Sequence, residues 1–407
     1  MDAYLIEFGN LLLRWLHVVA AIAWIGESIY FVMLDNSLHP PQSDESKKRG
    51  VFGELWSVHG GGFYHDQKYL TNPTELPDDL HWSFWKAYTT WLSGFALFAV
   101  LYLAKPSFYL VDTASSWPWA AALAGWQASL IAVLFLVAGW IIYDQLCRRI
   151  SPNMENDGAL SAAVAVMMVL VAYLSCHIFQ GRAAFLITGA VMATSMSANV
   201  FFWIIPGQRR MVNALKSGLT PDPLDGKRGK QRSVHNTYFT LPVVFLMLSN
   251  HYSFTFSSPY DWIIMSLFIF SGAAIRQYFV LRHMGQNKPM YPAIGILLLV
   301  VIAWLAKPTV PTDATPALSN GATVAEATTT AQVVAIVHAR CIECHSAKPS
   351  QPGFASAPAG ILLETEQEVL AHAALIKQVV ASGYMPLGNM TKMTDAERER
   401  IGAWPGE

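Results

Sequence analysis

The sequence predicts an all-α protein in which a polytopic membrane helix bundle of about eight transmembrane helices precedes a small helical domain. Of its 407 residues, 53% are hydrophobic and 14% are charged, whereas soluble proteins average about 25% charged residues. The chain holds eight successive apolar runs, and about twenty such residues suffice to cross about 30 Å of hydrocarbon. We therefore expect a transmembrane domain at 1–306, a linker at 307–332 and a second domain at 333–407.

The charge of the loops between the runs predicts an orientation. Four alternate loops carry fifteen Lys and Arg residues, and the remaining loops carry two. Because basic residues accumulate on the cytoplasmic side, the N-terminus is expected outside, and an even number of spans returns the C-terminus to the same side. The segment before the first run has two acids and no base, which indicates a retained helix and not a signal peptide. The runs lie near 11–34, 82–104, 118–146, 158–180, 183–206, 236–256, 260–281 and 290–306.

The linker at 307–332 is rich in Pro, Thr and Ala and contains no aromatic residue. Such a segment cannot bury enough apolar surface to fold. As a flexible coil it would span roughly 25 to 30 Å on average. It is therefore predicted to tether the second domain within reach of the membrane face.

The second domain contains the sequence CIECH, in which Cys341, Cys344 and His345 form a CxxCH motif. This motif is the attachment signature of a c-type heme, in which two thiols bind the heme vinyl groups and the His is an axial ligand of the iron. A zinc site would need a second Cys or His pair of similar spacing, and 346–407 holds only His372. The motif therefore predicts covalent heme c and a class I-like cytochrome c domain.

The second axial ligand of that heme is expected downstream, where the chain offers Met385, Met390 and Met393. Met385 is favoured, because the glycine and proline on either side of it favour a turn with an extended backbone. Met393 directly precedes a helix start, at which Thr394 and Glu397 are placed to form a capping box. Met390 stays open as the alternative to Met385.

Histidines at the outer ends of the runs indicate a second ligand site. His17, Trp24 and Glu27 recur at helical spacing on the first run and share one face. Small Ala residues beside His17 leave room for a flat ligand. His17 could pair with His177 or His251 to hold a second heme, a heme b. The alternative is that each is a headgroup-level His bonded to backbone or water.

Several motifs resemble those of one family, the membrane-bound bacterial urate oxidases, or PuuD-type urate hydroxylases. The motifs are WLHVVAAIAWIGES, VHGGGFY, LPVVFLMLSNHY, CIECHSAKP and MPLGNMT, and the resemblance covers essentially the whole chain. It implies that urate is oxidised to 5-hydroxyisourate without direct peroxide formation. Electrons would pass through heme c to a soluble or membrane cytochrome or oxidase of the respiratory chain. It also implies a multi-pass protein of the bacterial inner membrane, with its N-terminus and cytochrome c domain on the periplasmic side.

Urate oxidation requires a base and groups that orient the substrate, and polar residues expected at the inner side of the membrane supply candidates. Three glycines follow His59 and let the backbone approach a ligand closely; the alternative is a flexible hinge. The candidate bases are His59, His65 and His235, with Glu27 or Asp66 as orienting groups. These residues would form a pocket that faces the cytoplasm.

Two other functions stay open. One is an electron-relaying membrane cytochrome, for example a quinol-linked one. The other is a transporter with a cytochrome domain, because LHVVAAIAWIG is also similar to the first helix of CopD-like and HemJ-like proteins. Some of those proteins bind heme through that His, which supports His17 as a ligand. Transporters commonly contain internal repeats, and we find none between the two halves. The net charge of −1 argues against a nucleic acid partner.

Overall fold

The computed structural model describes residues 2–70, 73–307, 328–351, 357–381 and 383–406, and these are mostly helical. Short π-helical turns, Ala99–Leu103 and Val200–Ile204, extend the third and eighth helices. The strands are β1 (Gly53–His59) and β2 (Gly62–Lys68). The helices are α1 (Asp2–Asn36), α2 (Asp44–Lys48), α3 (Trp85–Phe98), α4 (Pro106–Tyr109), α5 (Pro118–Ala121), α6 (Gly125–Ile150), α7 (Asp157–Ile178), α8 (Gly181–Asn199), α9 (Ile205–Lys216), α10 (Pro223–Leu248), α11 (Asp261–His283), α12 (Met290–Leu305), α13 (Thr330–Arg340), α14 (Glu366–Ala371), α15 (Ala373–Ala381) and α16 (Asp395–Ala403).

Helices lie at all eight of the predicted apolar runs, and five of them are long and apolar enough to cross a membrane. The other three are α3, α10 and α12. The start of α10 differs most from the prediction, because its first half is polar and yet helical. Asp222 caps it by accepting a hydrogen bond from the Leu224 amide, and Pro223 occupies the first position. The five long apolar segments are Leu5–Asn36, Gly125–Ile150, Asp157–Ile178, Gly181–Lys216 and Asp261–His283.

The core of the bundle lies between α6, α7, α8 and α10, where small residues let helix backbones approach closely. Ala128 and Ala132 on α6 and Ala172 on α7 have no exposed surface. A Cβ added at Gly139 on α6 would lie 2.6 Å from Val191 of α8. Close packing at these positions brings residues on distant parts of the chain together inside the bundle.

A two-stranded antiparallel hairpin, β1 and β2, follows α1 and was not predicted. The strands pair from Gly53 opposite Lys68 to His59 opposite Gly62. Gly60 and Gly61 form the two-residue turn with φ values of 60° and 84°, which suit a type I′ hairpin turn. Two of the three glycines that were expected to approach a ligand or to act as a hinge form this turn, and the all-α prediction misses this small sheet.

The C-terminal residues pack around a separate apolar core that α13 to α16 enclose. Trp404 is fully buried, and its indole N–H donates to the Thr330 hydroxyl at 3.1 Å. The predicted capping box is confirmed, because Thr394 and Glu397 cap α16 reciprocally. His372 separates α14 from α15. Most of the predicted linker, 308–327, lies outside the described residues.

The C-terminal helices meet the membrane bundle through a small aromatic contact. Tyr384 lies beside Phe256, with ring centroids 5.9 Å apart, and packs against the main core of the bundle. This contact places the loop that carries Met385 over the end of the bundle where Tyr109 and Arg182 lie.

Candidate functional site

A cavity of about 790 Å³ surrounds the CxxCH motif and lies between the C-terminal helices and the bundle. Cys341, Cys344 and His345 line it together with Met385 and Met390. Its volume is within the range of about 300–1,000 Å³ that is usual for ligand and cofactor pockets. Its apolar lining residues include Ile361, Leu363, Leu375, Ile376, Val379 and Val380. Two thiols, an imidazole, a thioether and apolar walls form a donor set that suits a covalently bound heme.

The side chain of His345 is oriented for a metal ligand. Its Nδ1–H donates to the carbonyl of Ile361 at 3.0 Å, so the tautomer leaves the Nε2 lone pair free. Burial lowers the pKa of His345, and the hydrogen bond to Ile361 partly opposes that effect. Burial raises the pKa of Cys341 to about 12, so this thiol is protonated before it is alkylated. The free lone pair on Nε2 of His345 is what ligation of the iron of a c-type heme requires.

The three candidate methionines differ in their surroundings. Met393 is 3% exposed and packs in the C-terminal core, whereas Met385 and Met390 line the cavity. Met385 is held by its backbone, because its N–H donates to Val379 and its carbonyl accepts from Arg398. Met390 is 38% exposed. A fixed backbone favours Met385 as the axial ligand.

Substituting Met385 tests this assignment. Met385→Ala is expected to keep the heme attached and to lower its reduction potential, because a thioether ligand raises that potential. Met390→Ala should leave the potential and the visible spectrum unchanged. Redox titration of both purified variants measures the difference. A wild-type potential in Met385→Ala together with a lowered one in Met390→Ala would assign the ligand to Met390 instead.

A second cavity, of about 350 Å³, lies inside the bundle next to the first. His17 and His251 both line it, as one of the predicted pairings requires. The two cavities have five wall residues in common. These shared residues are Arg14, Tyr109, Arg182, Asn250 and His251.

His17 is fixed within this second cavity by residues of α3. Its Nδ1 lies 3.0 Å from the carbonyl of Thr90 and 3.1 Å from the hydroxyl of Ser93. A carbonyl can only accept a hydrogen bond, so Nδ1 carries the proton and Nε2 is left with a lone pair. A Cβ at Gly94 would lie 2.8 Å from the Cε1 of His17. Glycine at position 94 therefore makes room for the imidazole.

His177, the other predicted partner of His17, has different surroundings and does not line the second cavity. Its Nδ1 donates to the carbonyl of Tyr173 at 2.7 Å, and its ring lies 5.0 Å from that of Trp117. The backbone hydrogen bond is the alternative that the sequence left open. The structure therefore does not pair His17 with His177.

Comparison with known proteins identifies the membrane part of the chain. The family model described as Urate oxidase N-terminal matches residues 3–307. The chain belongs to the urate oxidase N-terminal family. No curated protein and no solved structure gave a significant match. The match covers α1 to α12, including every residue that lines the second cavity, and ends before the CxxCH motif. Membership of the urate oxidase N-terminal family indicates a urate-related oxidoreductase.

The structure does not assemble the inner-side residues predicted for this urate oxidase family member. His59 is exposed near the tip of the hairpin. His65 on β2 donates from Nε2 to the carboxylate of Glu54 at 3.1 Å and stacks on Trp56. Glu27 forms an ion pair with Lys86 at 2.7 Å. The groups that contact His59, His65 and Glu27 have no residue in common.

His235 belongs to a buried polar network within the bundle. The hydroxyl of Tyr143 forms a hydrogen bond with its Nδ1 at 2.8 Å and accepts from the amide of Asn199 at 3.0 Å. That amide also donates to Asn236 at 2.9 Å. The groups satisfy one another, which is typical of a structural network. The sequence placed His235 at the level of the inner membrane surface, and the structure buries its side chain beside Tyr143 of α6.

Sequence reasoning missed Arg14 and Arg182 as functional residues. Arg14 was noted only as a polar group on the first apolar run, and Arg182 only as a basic residue of an outer loop. Their common position at the boundary of two cavities depends on the tertiary packing of α1 and α8 within the bundle, which no local pattern reveals. A basic residue three positions before His17 on the same helix was the available signal.

Proposed function

We propose that this protein is a membrane-bound oxidoreductase that oxidises urate to 5-hydroxyisourate and passes the electrons through heme c to the respiratory chain. The observation that carries the proposal is the contact between two cavities. One lies wholly within the part that matches the urate oxidase family. The other holds the CxxCH motif. The cavity proposed to serve the substrate and the cavity proposed to hold the electron acceptor thereby have wall residues in common.

The reaction balances without oxygen as an oxidant. Urate and one water molecule give 5-hydroxyisourate, two protons and two electrons. Heme c, when bound by Cys341, Cys344, His345 and Met385, supplies a one-electron acceptor. The protein must therefore release the two electrons singly, and the final acceptor is a soluble or membrane cytochrome or oxidase. Peroxide is not a product of this route.

The architecture that we propose is a bundle of eight spans with a cytochrome c domain of the class I type. Five helices qualify by length and composition, and α3, α10 and α12 pack with them to complete the bundle. The loop charges favour an inner-membrane protein whose N-terminus and cytochrome domain face the periplasm. The helical order around the CxxCH motif supports the cytochrome assignment.

Anaerobic addition of urate to the purified full-length protein tests the proposal, with the α band of heme c as the readout. Urate is expected to reduce the heme rapidly. If a quinol reduces the heme and urate does not, the protein is an electron-relaying cytochrome. If neither does while dithionite reduces it fully, the proposed oxidoreductase activity is wrong.

A further inference from the structure

We propose that the second cavity is the urate-binding site, with Arg14 and Arg182 as anchors for the anion and His17 as the base. This inference rests on the proposed function and names the place where its chemistry occurs. Four observations support it, namely charge, a fixed imidazole, size and position beside the heme cavity.

The charge at the boundary of the two cavities favours an anion. Arg14 donates from Nε to the amide oxygen of Asn10 at 3.1 Å, and Arg182 donates from Nε to that of Asn250 at 3.2 Å. Both partners are neutral. In the part of the chain that the structure describes, neither guanidinium forms an ion pair with a carboxylate. Urate is a planar monoanion at neutral pH, and its oxygen and nitrogen edges suit the planar fork of an arginine.

The imidazole of His17, the proposed base, is held in one orientation by a hydrogen bond. Thr90 fixes the proton of His17 on Nδ1, so the Nε2 lone pair remains to accept a proton from urate or from the attacking water. Among the described residues, no hydrogen-bond partner is present for Nε2. His17 can thus take one of the two protons that the oxidation releases, while the hydroxyl oxygen comes from water.

The size and the walls of the cavity favour a purine over a porphyrin. At about 350 Å³ it has less than half the volume of the cavity of about 790 Å³ at the CxxCH motif. Trp91 and Phe95 line it as a stacked pair with ring centroids 5.3 Å apart, and Phe98 and Tyr102 also line it. Flat aromatic walls around a few polar groups are typical of sites for planar heterocycles.

The position of the cavity shortens the path of the electrons. Because five residues line both cavities, a single layer of side chains separates urate from the heme cavity. The pocket expected from His59 and His65 would lie beyond the far end of α1, about 33 Å along the helix from Arg14 at 1.5 Å per residue. A site at the second cavity therefore needs no electron transfer across the bilayer and no second heme.

Removal of the guanidinium of Arg14 or of Arg182 tests whether these residues bind the urate anion. Arg14→Gln and Arg182→Gln in the full-length holoprotein are each expected to raise the KM for urate by about 10-fold to 100-fold, as for a lost charge-assisted hydrogen bond. Arg149→Gln, at an exposed position near the end of α6, is the matched control and should keep the wild-type KM. Because both arginines also line the heme cavity, the KM for urate is the deciding readout, and the heme c potential is measured beside it.

A shifted heme potential with an unchanged KM would mean that the two arginines serve the heme propionates, and would overturn the proposal. A rise in KM on Arg276→Gln, with no rise for Arg14 or Arg182, would also overturn it. Arg276 is the rival because it is 5% exposed and its Nε and Nη2 atoms are buried without a partner.

Substitution of Gly94, which contacts the imidazole of His17, tests the role of His17 as the base. Gly94→Ala places a Cβ 2.8 Å from the imidazole of His17, so the ring must move and kcat is expected to fall about 100-fold. Gly26→Ala is the matched control, because a Cβ there meets nothing within 4 Å, and its kcat should be that of the wild type. Equal kcat values for the two variants would remove His17 from the mechanism.

Two further results separate this inference from the proposed function. If urate fails to reduce heme c in the wild type, the proposed function fails whatever occupies the cavity. If the wild type is active, and acid acetone extracts one non-covalent heme per chain, the second cavity holds a porphyrin and the urate site is wrong. An active wild type with no extractable heme, together with the shifts in KM and kcat, supports the site.

Discussion

Replacing Cys344 with alanine is expected to prevent stable attachment of heme c and to abolish urate-dependent electron transfer. Cys341 and Cys344 line the same cavity as His345, and thioether bonds from both thiols hold a c-type heme. Stained gels for covalent heme and anaerobic urate oxidation measure the effect, and activity should fall at least 100-fold. On the proposed route, the loss follows because no electron acceptor remains next to the second cavity.

Cys147→Ala is the matched control for this substitution. Cys147 is a buried cysteine of α6 that is 2% exposed and does not line either cavity. Its replacement should keep covalent heme and activity. Wild-type urate oxidation by a Cys344→Ala protein that lacks heme would contradict the proposed route of the electrons.

The second large effect is expected on stability, at Asp144 in the bundle. Its carboxylate accepts from Arg232 at 2.8 Å, from Trp203 at 2.7 Å and from Arg148 at 2.6 Å. The side chains of Asp144 and Arg232 are 5% and 3% exposed. Asp144→Ala leaves a buried charge without its partner, which costs about 3–5 kcal/mol. Thermal unfolding in detergent should show a clearly lowered Tm.

Two comparison variants show whether the lowered Tm of Asp144→Ala comes from the buried ion pair. Asp44→Ala removes an exposed pair with Lys47 and should leave the Tm unchanged, because exposed pairs contribute little. The double variant Asp144→Leu with Arg232→Met should unfold at a higher temperature than Asp144→Ala, since it removes both buried charges. Equal Tm values for Asp144→Ala and Asp44→Ala would show that the buried pair does not stabilise the bundle.

Local patterns predicted the elements of this fold well. An apolar run needs only its own residues to form a helix, and a helix lies at each of the eight runs. The capping box at Thr394 likewise depends on residues three positions apart. The β1–β2 hairpin could have been predicted too, since two glycines between residues typical of strands indicate a type I′ turn.

The composition of the candidate site depends on contacts between distant parts of the chain, and these could not be predicted. Thr90, which fixes His17, lies 73 positions away, and His235 is buried by a tyrosine 92 positions away. Depth along a helix gives the level of a side chain in the membrane but not the neighbour that it faces. For that reason His177 and His251 were equivalent in the sequence as partners for His17, and only His251 lines the same cavity as His17.

The central claim is that electrons leave urate singly through heme c. An anaerobic titration of the oxidised full-length protein with urate tests it most directly, with the heme α band and the urate remaining both measured. We expect each urate consumed to reduce two heme c groups, with 5-hydroxyisourate as the product and no peroxide. Urate consumed only in air, with peroxide released and heme c still oxidised, would contradict the account.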